Sequence, residues 1–139
     1  MAKKSAAKTE AGRVPIRWRD DVAAHDYAAA MAYLTLRFDE RRAKTVVERL
    51  GKAAPTRRRA NDILRSAALD PAPLDDPGVI KDLIKVIEGR ALSPVLVVSS
   101  AGHADIADGF HRVSLVYRLD PYGEVPLRPR SRSAQPPKS

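Results

Sequence analysis

The chain has 139 residues, 44% of them hydrophobic and 30% charged, with a net charge of +8 and no cysteine. That length and apolar fraction allow one buried core and leave little room for a second independent domain, while the lack of cysteine removes disulfides, thiolate nucleophiles and cysteine-held zinc and fits a reducing compartment. No apolar run approaches the roughly 20 residues of a membrane span, and the Lys-rich start lacks the apolar stretch of a secretory signal, so a cytoplasmic protein with no membrane partner is the expectation.

Most of the charge lies at the two ends. Residues 1–13 carry Lys3, Lys4, Lys8 and Arg13 against Glu10, and residues 129–139 carry Arg130, Arg132 and Lys138; each tail contributes +3, and the segment 14–128 only +2. Both tails are rich in Ala, Ser, Pro and basic residues, which predicts disorder. Such tails either add salt-sensitive attraction for phosphate backbones or serve solubility alone.

Between them the predicted elements follow in order. Pro15-Ile16-Arg17-Trp18 reads as a short edge strand. From Asp26 an Ala-rich run predicts a helix over Tyr27–Leu36, with Tyr27, Met31 and Leu34 at helical spacing. Asp39 is the expected N-cap of a helix Glu40–Leu50, its inner face built from Val46, Val47 and Leu50 and its end marked by Gly51. After Pro55 a third helix is expected from Thr56, burying Ala60, Ile63, Leu64 and Ala67. The proline-rich segment from Asp70 to Gly78 reads as a loop. Val79–Glu88 returns to helix, with Ile80, Leu83, Ile84 and Ile87 as its apolar stripe and Gly89 closing it. Val95–Val98 is β-branched and short enough for a buried strand, and beyond the turn Ala101-Gly102-His103 the residues Ala104–Ala107 form its hairpin partner. Gly109 then permits a tight turn into a helix whose apolar face holds Val113, Leu115, Val116 and Leu119. Val125–Leu127 is the last expected strand.

Two places carry candidate chemistry. Arg57, Arg58 and Arg59 stand where the second helix of a loose helix-turn-helix would begin, so they are either a nucleic-acid contact or a solvated basic face. The other place is Asp108-Gly109-Phe110-His111-Arg112, between a strand and a helix start. The first-turn N–H groups of a helix have no intrahelical partner and favour an anion, and His111 and Arg112 add charge-assisted donors. Asp108 suits a cap, a Mg²⁺ ligand or a base toward a hydroxyl. His25 is placed either to pair with Asp26 or Asp21 as a general base or to cap a helix; His103 falls in a turn. Dispersed histidines without paired spacing do not suggest zinc.

The turn Asp108, Gly109, His111, Arg112, preceded by a helix, Gly89, Pro94 and the strand Val95–Val98, resembles the ParB/sulfiredoxin superfamily over residues 79–127. The upstream segment Trp18–Leu34 is similar to small bacterial ParB-like proteins. The resemblance implies an α/β (α+β) domain over 14–128, helical in its N-terminal half, with a small mixed sheet of residues near Ile16, Val95–Val98, Asp105–Ala107 and Val125–Leu127. It also implies binding of a nucleoside triphosphate with Mg²⁺, its phosphates held by Gly109, Phe110, His111 and Arg112, and it leaves NTPase or phosphoryl-transfer activity open, with Asp108 as the candidate catalytic group. The sulfiredoxin version of the turn carries a catalytic cysteine where this chain has Phe110, which excludes that chemistry. A complete partitioning clamp needs further domains that 139 residues do not accommodate. The alternatives are a DNA-binding accessory protein using Arg57–Arg59 and the tails, or a protein-interaction module with a vestigial turn.

Overall fold

A computed structural model describes residues 15–100 and 103–131. The tail 1–13, the tail residues from 132 on and the hairpin turn Ala101-Gly102 lie outside the described residues. The chain is mixed α+β: among the described residues, five helices surround a four-stranded mixed sheet. The helices are α1 (Ala24–Leu34), α2 (Glu40–Lys52), α3 (Ala60–Ser66), α4 (Pro77–Ile87) and α5 (Phe110–Leu119). The strands are β1 (Thr56–Arg59), β2 (Val95–Ser100), β3 (His103–Asp108) and β4 (Glu124–Ser131), so β4 reaches three residues into the segment expected as a tail.

The strands lie in the order β1-β4-β2-β3, with β4 parallel to β2 and the two outer strands antiparallel to their neighbours. Successive side chains of a strand point to opposite faces, and β2 shows the consequence. Val95 and Val97 pack with α3 and α5, whereas Leu96 and Val98 pack with α1 and α2. A strand covered on both faces has no place for a polar side chain, which is why this run is apolar without alternation. Beyond α5, a third cluster joins Val79 and Val86 of α4 to Leu92 and Leu115. Ser114 ties the 70–76 connection to it by accepting the Ala72 N–H at 2.9 Å.

Three expectations need correction. The fourth strand is not Pro15–Trp18, which makes only a bridge between Trp18 and Leu92, with Arg19 N donating to Leu92 O and Leu92 N to Arg17 O. It is Thr56–Arg59, expected to open a helix. This segment pairs with β4, and α3 starts only at Ala60, where the Ala60 and Asn61 N–H groups are satisfied by the carbonyls of Gly123 and Pro121. A long-range ladder overrides the helix propensity of arginine here. The third correction concerns α4. It begins at Pro77 rather than Val79, because Asp76 caps it by accepting from Gly78 N and Val79 N. Its buried side holds Val79, Asp82 and Val86, while Ile84 and Ile87 are 47% and 66% exposed and Ile80 also faces outward. Gly78 explains the rotation. A Cβ there would meet the His111 ring at 2.6 Å, so the helix can approach α5 closely only on its glycine side. Smaller shifts occur at α1, which starts and ends earlier than expected, at α2, which continues through Gly51, and at Leu119, which is exposed.

This orientation of α4 makes a direct comparison of two substitutions informative. Ile84→Lys should change stability by no more than about 0.5 kcal/mol, as surface changes do. Leu115→Ala, in the fully buried cluster beneath, should cost about 2–5 kcal/mol. Urea denaturation of both variants measures the contrast, and a large loss in Ile84→Lys would contradict the assigned face.

Candidate functional site

Gly109 connects β3 to α5 with φ +114°, a left-handed backbone that side chains rarely adopt. A Cβ at this position would stand 2.8 Å from Val95 Cγ2 and 2.9 Å from Arg112 Nη2. The glycine therefore lets β2 and the Arg112 guanidinium close in on the turn. Asp108 does not cap the helix: the N-cap is Gly109, with no side-chain cap bond. Its carboxylate instead accepts from Arg112 Nη2 at 2.9 Å, one helical turn on.

Arg112 has a second acid on its other side. Its Nη1 lies 3.4 Å from Asp26 Oδ2, in the first turn of α1, and the side chains of Arg112 and Asp26 are only 13% and 5% exposed. Asp26 Oδ1 also lies 3.2 Å from His25 Nε2. The fit is incomplete: Arg112 Nε and Asp26 Oδ2 are buried and make no hydrogen bond among the described residues. A third acid, Asp82, is buried on the inner face of α4, where the charge of Arg112 acts on it without a hydrogen bond. Carboxylates crowded in this way resist ionising together. Burial pushes the Asp108 carboxyl above the ordinary range, Arg112 pulls it down, and the charge of Asp26 raises it again. Asp82 is likewise pushed up by burial, against the pull of Arg112, Lys85, His111 and Lys81.

Beside this cluster opens a cleft of about 170 Å³. Arg112, Asp26 and Asp82 line it together with His25, Ser93 and the basic side chains Arg19, Lys85 and Arg90. Arg90 pairs with Glu88 and Arg19 donates to the Asp21 carbonyl, whereas Lys85 has no carboxylate at ion-pair distance among the described residues. The connection after α4 shapes the wall, and Ser93 Oγ holds it to the start of α1 by accepting from Ala23 N.

The turn expected to hold phosphate is thus divided. Arg112 lines the cleft, and Asp108 stands behind it as the partner of Arg112; Gly109, Phe110 and His111 are not part of the lining. Phe110 packs between the apolar clusters on either side of α5. His111 covers Gly78 and lies 3.3 Å from Asp76 Oδ2, at the start of α4. His25 and Asp26, considered from sequence as a pair, do come together at the cleft. Asp21 instead ties Arg128 to the segment before α1, accepting at 2.9 Å. His103 lies in β3 near Asp105. Among the described residues, no group of three or more histidine or acidic side chains is arranged to hold a metal ion.

Arg57, Arg58 and Arg59 are exposed on the outer strand β1, alternating between its faces, with Arg57 paired to Glu124 and Arg59 over the Tyr122 ring. They do not form a recognition helix. Charged side chains on an edge strand also discourage pairing with another sheet. Sequence reading missed Arg19, Lys85, Arg90 and Asp82. Only Asp82 carried a usable signal, a carboxylate between Val79 and Val86 on one helical face. Comparison with protein families, curated proteins and solved structures finds nothing that matches this chain.

The raised Asp82 carboxyl has a testable effect on stability. A carboxyl whose folded pKa lies above its unfolded value contributes stability that is complete below the unfolded value, about 3.9 for Asp, and is lost as pH rises through the folded value. Asp82→Asn removes that loss. The variant should be at least as stable as the parent at pH about 7, with the difference in its favour shrinking as pH falls toward about 3.9. Urea denaturation across this range measures it; a variant clearly less stable at neutral pH would show that the ionised carboxylate is needed.

Proposed function

We propose that this protein binds a phosphate-bearing ligand, in the first place a nucleotide, in the cleft floored by Arg112. The observation that carries this reading is the convergence of Arg19, Lys85, Arg90 and Arg112, from three separate segments of the chain, on one concave site. Arginine and lysine side chains lining one small volume suit the oxygens of a phosphate group, with Arg supplying paired donors and Lys a point charge. The resemblance of the Asp108–Arg112 turn to ParB/sulfiredoxin-like proteins supports the same ligand class, with the contact made by Arg112 and the cleft rather than by the whole turn. His25, held against Asp26 at the cleft, is the group best placed for acid–base work if the bound phosphate is transferred or hydrolysed. Binding, with Mg²⁺ carried by the nucleotide, is the activity proposed first.

The competing reading, nucleic-acid binding through Arg57–Arg59, rests on their exposure along β1. One experiment separates the two. Isothermal titration of the full chain with ATP, CTP and GTP, with and without Mg²⁺, should give saturable binding that weakens about tenfold or more in Lys85→Ala and in Arg90→Ala, the effect of losing a hydrogen bond to a charged group. The double substitution Arg57→Ala/Arg58→Ala should leave it unchanged. Affinity that survives the cleft substitutions and falls with the β1 pair would transfer the function to the sheet edge.

A further inference from the structure

The cleft places an anion's strongest ligand between acids, which constrains how an anion can bind. Arg112 donates to Asp108 at 2.9 Å and lies 3.4 Å from Asp26, and Asp82 approaches from α4. One guanidinium thus faces three carboxyl groups from β3, α1 and α4. The other charged or titratable groups around it are His25 beside Asp26, Lys81 and Lys85 on α4, His111 on its own helix, and Arg19 and Arg90 on the cleft wall. An anion drawn to Arg112 meets the negative charge of Asp26 at the same place, since both line the cleft. It also competes with Asp108 for the guanidinium. Arg112 cannot swing away to meet it, being largely buried and packed against Gly109.

We infer that the cleft takes up its anion together with a proton, which settles on the Asp108 carboxyl beside Asp26. This rests on the proposed phosphate reading and adds to it a coupling between ligand and pH. The proton comes from the solvent buffer and forms an O–H bond on the Asp108 carboxylate; no bond in the ligand breaks. One negative charge beside Arg112 is neutralised as the anion's charge arrives, which offsets part of the repulsion between the ligand and the buried acids. The buried oxygen of Asp26 that accepts no hydrogen bond is a ready acceptor for that proton's hydrogen bond. The upward displacement of the Asp108 carboxyl by burial and by Asp26 is consistent with it. Linkage then requires that lower pH strengthens anion binding and that anion binding promotes protonation.

The test uses the full chain and sulfate, a tetrahedral anion that does not itself titrate near neutral pH. Binding enthalpy is measured at one pH in buffers of different ionisation enthalpy, and the slope gives the protons taken up. The coupling predicts net uptake of up to one proton per sulfate and an affinity that rises by up to about tenfold per unit fall in pH, the limit for one linked proton. Asp108→Asn should abolish the uptake and bind sulfate at neutral pH at least as tightly as the parent. If that variant does not fold, the slope measured in His25→Gln, which removes the cleft imidazole, decides: uptake retained supports the carboxyl as the acceptor, and uptake lost overturns it. Saturable binding with zero proton uptake, or Asp108→Asn that binds more weakly with the uptake retained, overturns the coupling and leaves the anion site standing. No saturable binding of sulfate, phosphate or ATP at any pH removes the site, and the coupling with it.

Discussion

The guanidinium of Arg112 is the constraint around which this molecule is arranged. An arginine cannot lose its charge, so once it is buried its surroundings must supply the compensation. Here α5 carries it, β3 gives Asp108, α1 gives Asp26 in its first turn, and α4 brings Asp82. Each of these elements is fixed by packing elsewhere: α1 by the cluster on one face of the sheet, α5 by the cluster on the other, and α4 by the cluster beyond α5. The charge cluster lies where these apolar layers meet. Removing one partner of a buried ion pair typically costs about 3–5 kcal/mol because the other charge is left uncompensated; among the described residues Asp26 and Asp108, not Asp82, stand at ion-pair distance from Arg112. The cluster also demands Gly109, since any side chain there would push against both Val95 and the guanidinium.

The same arrangement gives the cleft its character. A pocket ringed only by cations would attract any anion, whereas this one sets Asp26 and Asp82 among Arg19, Lys85, Arg90 and Arg112. The acids hold Arg112 in place and would oppose the charge of the proposed anionic ligand. Pre-organised donors spend less on ordering at the moment of binding, and here their cost is electrostatic rather than entropic. On the outer surface the charges have a different meaning. Arg57 and Arg59 are engaged with Glu124 and Tyr122 along an open strand edge, where charge also discourages sheet-to-sheet association.

How much of this was legible in the sequence follows from the range of the interactions involved. The strands β2, β3 and β4 and the helices α2 and α5 are set by local pattern: β-branched runs, the Asp39 cap, and the apolar face after Gly109. Thr56–Arg59 defeated local reading because its strand state depends on a ladder to β4, formed by residues near Val125. On α4, apolar residues cover more than one side, so periodicity alone could not choose which stripe is buried; Gly78 beneath His111 makes the choice. In the candidate site, Arg112 stood out through its position after Gly109, and its neighbour in space, Asp108, through local sequence. Asp26, Asp82, Lys85 and Arg90 reach the same place only through tertiary packing. His111 shows the opposite limit, since a residue at a phosphate-type turn is used here to seat one helix on another.

The most direct test of this account is to observe the Arg112 side chain itself. In ¹⁵N–¹H spectra of the full chain, with the arginine Nε–H signals assigned by substitution, inorganic phosphate is titrated in. Arg112 should give a signal distinct from the exposed arginines and protected from exchange with water, and it should shift saturably with phosphate while Arg57, Arg58 and Arg59 do not. An Arg112 signal that exchanges as freely as the exposed ones, or stays still while the β1 arginines shift, would contradict both the buried charge cluster and the cleft as the ligand site.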